Sequence, residues 1–261
     1  MALLALTRMT VADGLRQPLT WLATGLAVAL VGLSYLFGMF NFETQDRVRM
    51  LTTAGVSIAV INGLFLAVVG ASTAIHDELA SRTALTLFAK PLSRGHYLIG
   101  KALGVWLVVI IATLLVVAAH GIALLAALWT QWEDVDHGHS HGFANDLWVP
   151  WARLGAAHAL GLAHSAVLTC IAAVLALRLP LIANILACFA LFVLGHLLPG
   201  LGFLGGVVVP ALATFNVDDS LQLIGQRLDW TYCGAAFIYA FLSCGGWLLI
   251  GLGLFARQDI S

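Results

Sequence analysis

Six stretches of this chain, at 19–40, 51–75, 102–129, 151–177, 181–198 and 230–255, are apolar almost throughout, and each approaches the roughly 20 residues that a helix needs to cross the hydrocarbon core of a bilayer. In lipid no water is available to hydrogen-bond an exposed backbone, so each stretch must satisfy its own N–H and C=O groups as a helix. Hydrophobic residues make up 61% of the chain and charged residues 10%, with a mean hydropathy of +0.98. A water-soluble domain carries about a quarter charged residues, so water is not the main solvent here. The sequence therefore predicts an all-α polytopic membrane protein, one transmembrane domain over 1–261 with six transmembrane helices. The Gly- and Pro-rich region 197–210 reads as a re-entrant or interfacial helix after the fifth span.

Arg8, Asp13 and Arg16 precede the first apolar run, which is longer than the apolar core of a secretory signal and has no small-residue cleavage pattern after it. The run is expected to remain as an anchor, with 1–18 an interfacial helix. Placing the N-terminus inside puts Arg8, Arg16, Arg82, Lys90, Arg94, Lys101, Arg178 and Arg257 on the cytoplasmic side, leaving Arg47, Arg49, Arg153 and Arg227 outside. That asymmetry sets the orientation, so both termini are expected in the cytoplasm. Trp129, Trp132, Trp148, Trp151 and Trp230 then fall at the outer interface as an aromatic belt.

A net charge of −1 gives no basic footprint for a nucleic-acid partner. Cys170, Cys188, Cys233 and Cys244 lie in apolar stretches without C-x-x-C spacing, which implies neither a disulfide framework nor a zinc knuckle. Gly155, Ala159 and Ala163, four residues apart, are small enough to let helices approach closely.

Charge concentrates in 76–101, between the second and third spans. Leu79, Leu85, Leu87, Phe88 and Leu92 make this cytoplasmic segment amphipathic, while Arg82, Lys90 and Arg94 face water or anionic headgroups. Pro91 ends a first helix, because the residue before a proline is pushed out of the α region. A helix, a break and a second short helix feeding the third span are expected.

Asp77-Glu78, Ser81-Arg82-Thr83, the run Leu87-Phe88-Ala89-Lys90-Pro91-Leu92-Ser93-Arg94 and Tyr97-Leu98-Ile99-Gly100-Lys101 together resemble the ABC-2 permease pattern. In that pattern an acidic residue precedes Gly-Thr, then Leu-Leu-x-Lys/Arg-Pro-Val-Ser-Arg and Leu-Leu-Gly-Lys. Arg82 stands where the family usually has Gly. A second set, Pro210 to Phe215-Asn216-Val217-Asp218-Asp219, Trp230, Tyr239 and the closing Leu254-Phe255-Ala256-Arg257-Gln258-Asp259-Ile260, is similar to the family's Pro-x-x-x-x-Phe-Asn/Asp, Trp-x-Tyr and Phe-x-Arg-x-Asp. Within the family the chain resembles most the group labelled multicopper-enzyme maturation or nitrous-oxide-reductase accessory permeases.

The resemblance implies a non-catalytic membrane subunit of the bacterial inner membrane. It would pair with a second permease chain, as a homodimer, and be driven by two copies of a cytoplasmic ABC ATPase. Coupling helices at 76–101 would dock on that ATPase, with Asp77, Glu78, Arg82, Lys90, Pro91, Arg94, Gly100 and Lys101 as the coupling residues. ATP and magnesium would be handled by the partner, and the output would be export of a substrate or force passed to a periplasmic protein. Gly95-His96-Tyr97-Leu98-Ile99-Gly100-Lys101-Ala102 nearly fits a phosphate-binding loop. It lacks the Ser/Thr hydroxyl and a preceding strand, and so is a decoy.

The histidines are unevenly placed. His137, His139 and His141 alternate in the His/acidic loop 130–150, read as periplasmic, while His120, His158, His164 and His196 fall in the outer halves of the third, fourth and fifth spans. Ionisable side chains inside a membrane are functional candidates, and neutral imidazole suits zinc, copper or nickel. His137, His139, His141, His120, His164 and His196 are thus candidate metal ligands. The alternative reading is a haem- or metal-binding membrane protein, with His120, His164 or His196 as axial ligands.

Overall fold

The computed structural model describes residues 2–41, 44–80, 93–129, 149, 151–197, 209–216 and 229–256. They form seven α-helices: α1 (Ala2–Arg16), α2 (Pro18–Asn41), α3 (Thr44–Ala80), α4 (Arg94–Trp129), α5 (Trp151–Leu175), α6 (Leu181–Leu197) and α7 (Trp230–Ala256), with one 3-10 turn at Leu212–Phe215. No strand occurs among the described residues. Five helices, α2, α3, α4, α5 and α7, are long and apolar enough to cross a membrane. α6 is apolar too, but its 17 residues reach only about 26 Å at 1.5 Å per residue.

One expectation is corrected here. The short helix feeding the third span and the span itself are one continuous helix, α4, of 36 residues. Nothing between Arg94 and Trp129 breaks it: proline is absent, and isolated glycines are common in membrane helices. Ser93 starts it as an N-cap, its Oγ accepting from the His96 N–H at 3.2 Å. His96 returns a contact through Nδ1 to the same hydroxyl.

α1 and α2 meet at Gln17. Pro18 opens α2, where its missing N–H costs nothing. Thr20 Oγ1 and Trp21 Nε1 donate back to the carbonyls of Gly14 at 2.9 Å and Leu15 at 2.7 Å, satisfying the exposed end of α1. α1 then lies parallel to the start of α4. A Cβ on Gly100 would stand 2.9 Å from Leu6, one on Gly104 2.5 Å from Thr10, and one on Gly14 2.8 Å from Val108.

α3 is the centre of the bundle, packed on α5, α4, α2 and α6. Leu51, Ala67, Val68, Ile75, Leu98, Val109, Leu160 and Ile171 form part of one continuous core. Since lipid tails are as apolar as these side chains, close packing rather than hydrophobicity must hold the helices together. Glycine marks the crossings: Gly161 of α5 approaches Val60 of α3, and Gly251 of α7 approaches Val174 and Leu98. Gly155 has nothing within 4 Å, so the close approach on α5 lies at Gly161 rather than at the Gly155 end.

A polar stitch joins three helices. Asn184 of α6 donates to Ser72 Oγ of α3 at 2.8 Å and to the Ala172 carbonyl of α5 at 3.0 Å, while Ser72 donates to Val68 O at 2.6 Å. Arg178, just past α5, donates to the Leu254 carbonyl near the end of α7 at 3.0 Å. The exposed Trp129, Trp151 and Trp230 sit at the ends of α4, α5 and α7 remote from Arg178.

Candidate functional site

Two polar regions stand out in this apolar bundle, one at each end of α3. The first lies where α3 leaves and α4 returns. Glu78, on the last turns of α3, accepts from Tyr97 Oη through Oε2 at 2.8 Å and from Lys101 Nζ through Oε1 at 2.5 Å. Tyr97 is fully buried, Lys101 is 3% exposed and Glu78 16%. Tyr97 and Lys101 are four residues apart, so they share one face of α4, and a single carboxylate takes both donors. Charge-assisted bonds of this kind are about twice as strong as neutral ones, and here they fasten the two helices at the base of the connecting segment.

Beside the clamp is a cavity of ≈160 Å³ between α1, α2, α3 and α4 whose lining includes Thr10, Asp13, Asp77, Glu78 and Lys101. Among the other expected coupling residues, Asp77 is exposed at the end of α3 and Arg94 is half-buried as the first residue of α4. Gly100 faces α1. Arg82, Lys90 and Pro91 lie outside the described residues. Tyr97 belongs to the clamp although the charge pattern did not single it out. Its spacing from Lys101 was the available signal.

The second region holds the membrane histidines. His120 of α4 places Nε2 at 3.1 Å from the Leu51 carbonyl and Nδ1 at 3.2 Å from His158 Nε2 of α5. A carbonyl only accepts, so in the neutral ring Nε2 carries the hydrogen and Nδ1 must accept from His158. His158 Nδ1 is then an acceptor, and it has no hydrogen-bond partner. His164 stacks nearly parallel to Phe192 and Phe215, with ring centroids at 5.5 and 5.6 Å, and meets His196 edge-on at 5.6 Å. His196 Nδ1 lies 2.9 Å from the Phe192 carbonyl one turn back, so it donates and leaves Nε2 as the acceptor.

The histidines thus form two pairs, His120 with His158 and His164 with His196. Because His158 and His164 are six residues apart, the pairs are offset by about 9 Å along α5. No group of three His, Cys, Asp or Glu capable of holding a metal occurs among the described residues. His137, His139 and His141 lie outside the described residues.

Two tyrosines of α7 hold the 3-10 turn against the bundle. Tyr239 Oη accepts from the Ala211 N–H at 2.7 Å, and Tyr232 Oη donates to the Thr214 carbonyl at 2.7 Å. Phe215, packed 6.1 Å from the Tyr239 ring, is thereby set beside His164. The Pro210–Phe215 and Trp230–Tyr239 motifs, distant in sequence, are one structural unit.

Comparison with protein families gives a match over residues 4–245 to a family described as ABC-2 family transporter protein. A search of curated proteins finds no match.

Proposed function

The chain belongs to the ABC-2 family of transporter proteins, and from that premise we propose that it is the permease subunit through which a separate ATPase drives export of a substrate or passes force to a periplasmic partner. It is a multi-pass membrane protein. In this reading α6 completes six spans, both termini are cytoplasmic, and the membrane is the bacterial inner membrane. Two permease chains pair, each engaging one of two ATPase copies. The chain is not itself catalytic, and ATP and magnesium belong to the ATPase.

The observation that carries the proposal is the bond set from Glu78 to Tyr97 and Lys101. Residues 76–80 end α3 and 94–101 begin α4, and the clamp ties those two helices where they flank the rest of the segment. A push on the segment from a cytoplasmic ATPase therefore reaches α3 and α4 together rather than being absorbed by their separation. α3 is also the helix against which α2, α4, α5 and α6 pack, so displacing it displaces most of the bundle.

The test is charge reversal at Arg94 or Lys90 in the permease co-purified with its native ATPase. Membrane levels should stay normal, and ATP hydrolysis should no longer respond to the permease. An ATPase that binds and responds to Arg94→Glu and Lys90→Glu as it does to the unaltered chain would refute the coupling role.

A further inference from the structure

A cavity of ≈210 Å³ lies at the end of the bundle remote from the Glu78 clamp, bounded by α3, α5, α6 and the 3-10 turn. Its lining includes Val60, Gly161, His164, His196, Phe215 and Asn216. Glu78 is 18 residues along α3 from Val60, about 27 Å by helical rise, so this space is separate from the coupling end. We infer that it is a binding site for a neutral, single-ring amphiphile carrying one hydroxyl group, a phenol in chemical class, reached from the membrane.

Size, charge and hydrogen-bonding capacity each narrow the ligand. A cavity near 150 Å³ lined by apolar side chains admits benzene, so this one holds a substituted ring. Among the described residues no Asp, Glu, Lys or Arg lines it, so they favour an uncharged guest, since an unpaired charge in lipid is costly. His164 and Phe215, stacked 16° from parallel, both line the cavity, so part of its wall is aromatic, which suits a ring guest.

The polar requirement comes from the two imidazoles. His164 is 3% exposed and its Nε2 has no hydrogen-bond partner. Leaving a buried polar atom unmatched costs roughly 1–3 kcal/mol. His196 gives its Nδ1 hydrogen to the Phe192 carbonyl, so its Nε2 can only accept. A hydroxyl both donates and accepts, so it can give its one hydrogen to His196 Nε2 while accepting from His164 Nε2–H. A methyl group of the same size does neither.

The probes are 4-fluorophenol and 4-fluorotoluene, titrated by fluorine NMR against the full chain in lipid nanodiscs, with partition into empty nanodiscs subtracted. Saturable binding of 4-fluorophenol is expected, about tenfold tighter than 4-fluorotoluene. His164→Phe keeps the ring and its stacking but removes the nitrogens, so it should bring the two affinities together. Should that variant fail to fold, His196→Phe, at the less buried ring, carries the same expectation. The comparison on the unaltered chain needs no variant. Absence of saturable 4-fluorophenol binding, equal affinities on the unaltered chain, or an undiminished phenol preference in the variant would each overturn the assignment. None of these readouts depends on an ATPase, so they stand apart from the coupling proposal.

Discussion

Asn184 Nδ2 on α6 reaches Ser72 Oγ on α3 at 2.8 Å across 112 residues of sequence, and neither side chain has any exposed surface. α6 is the shortest of the apolar helices, and this bond with the Ala172 contact supplies polar fastening that its packing area alone does not. Interhelical hydrogen bonds in membranes average about 0.6 kcal/mol and reach about 1.7. Asn184→Leu removes two of them and should lower stability by about 1–2 kcal/mol. Ser72→Ala removes one and should cost about half as much, roughly 0.5–1 kcal/mol. The combined variant should fall short of the sum, because both changes delete the same bond. Reversible unfolding in mixed micelles measures all three.

Gly104 and Gly121 both lie within α4, yet space decides opposite outcomes for the same substitution. A Cβ on Gly104 would stand 2.5 Å from Thr10 Cβ and 3.0 Å from the Thr7 carbonyl oxygen, whereas one on Gly121 meets nothing within 4 Å. Alanine is the better helix former by up to about 1 kcal/mol, so Gly121→Ala should be neutral to stabilising. Gly104→Ala must push α1 off α4. Hydrogen exchange across residues 2–16 should accelerate in the Gly104 variant and stay unchanged in the Gly121 variant. Equal protection of α1 in both would show that this contact does not hold it.

Apolar run lengths reveal the helices because lipid leaves the backbone no other way to satisfy itself. Those runs also bound α2, α5 and α7 closely. They did not reveal that α4 continues unbroken from Arg94, since the charges at Arg94 and Lys101 resemble a loop until Lys101 is seen paired with Glu78. Nor could sequence pair the histidines. His120 meets His158 rather than His164 because α4 and α5 run antiparallel, and Gly55 of α3 leaves room for the His120 ring where α3 crosses α4. Helix register sets the two described pairs apart along α5, and His137, His139 and His141 lie outside the described residues. Likewise nothing in the sequence pairs Ser72 with Asn184, polar residues in separate apolar runs that bond to each other in the bundle.

Tyr97 and Lys101 both donate to Glu78, and they should not be equivalent. Tyr97→Phe deletes a hydroxyl but leaves the carboxylate paired with Lys101, so the loss is one hydrogen bond to a charged group, about 1.5–3 kcal/mol before discounting for the partial exposure of Glu78. Lys101→Met removes the buried cation bonded to Glu78 Oε1. Breaking a buried pair on one side costs about 3–5 kcal/mol, whereas replacing both partners with apolar groups of similar volume is often close to neutral. Lys101→Met should therefore be the most damaging single change, and adding Glu78→Leu to it should restore part of the loss. Thermal unfolding in detergent gives the ranking, and a double-mutant cycle gives the interaction between the two positions. If Lys101→Met proves no worse than Tyr97→Phe, then water reaches the pair freely, and the clamp is too weak to make α3 and α4 move together.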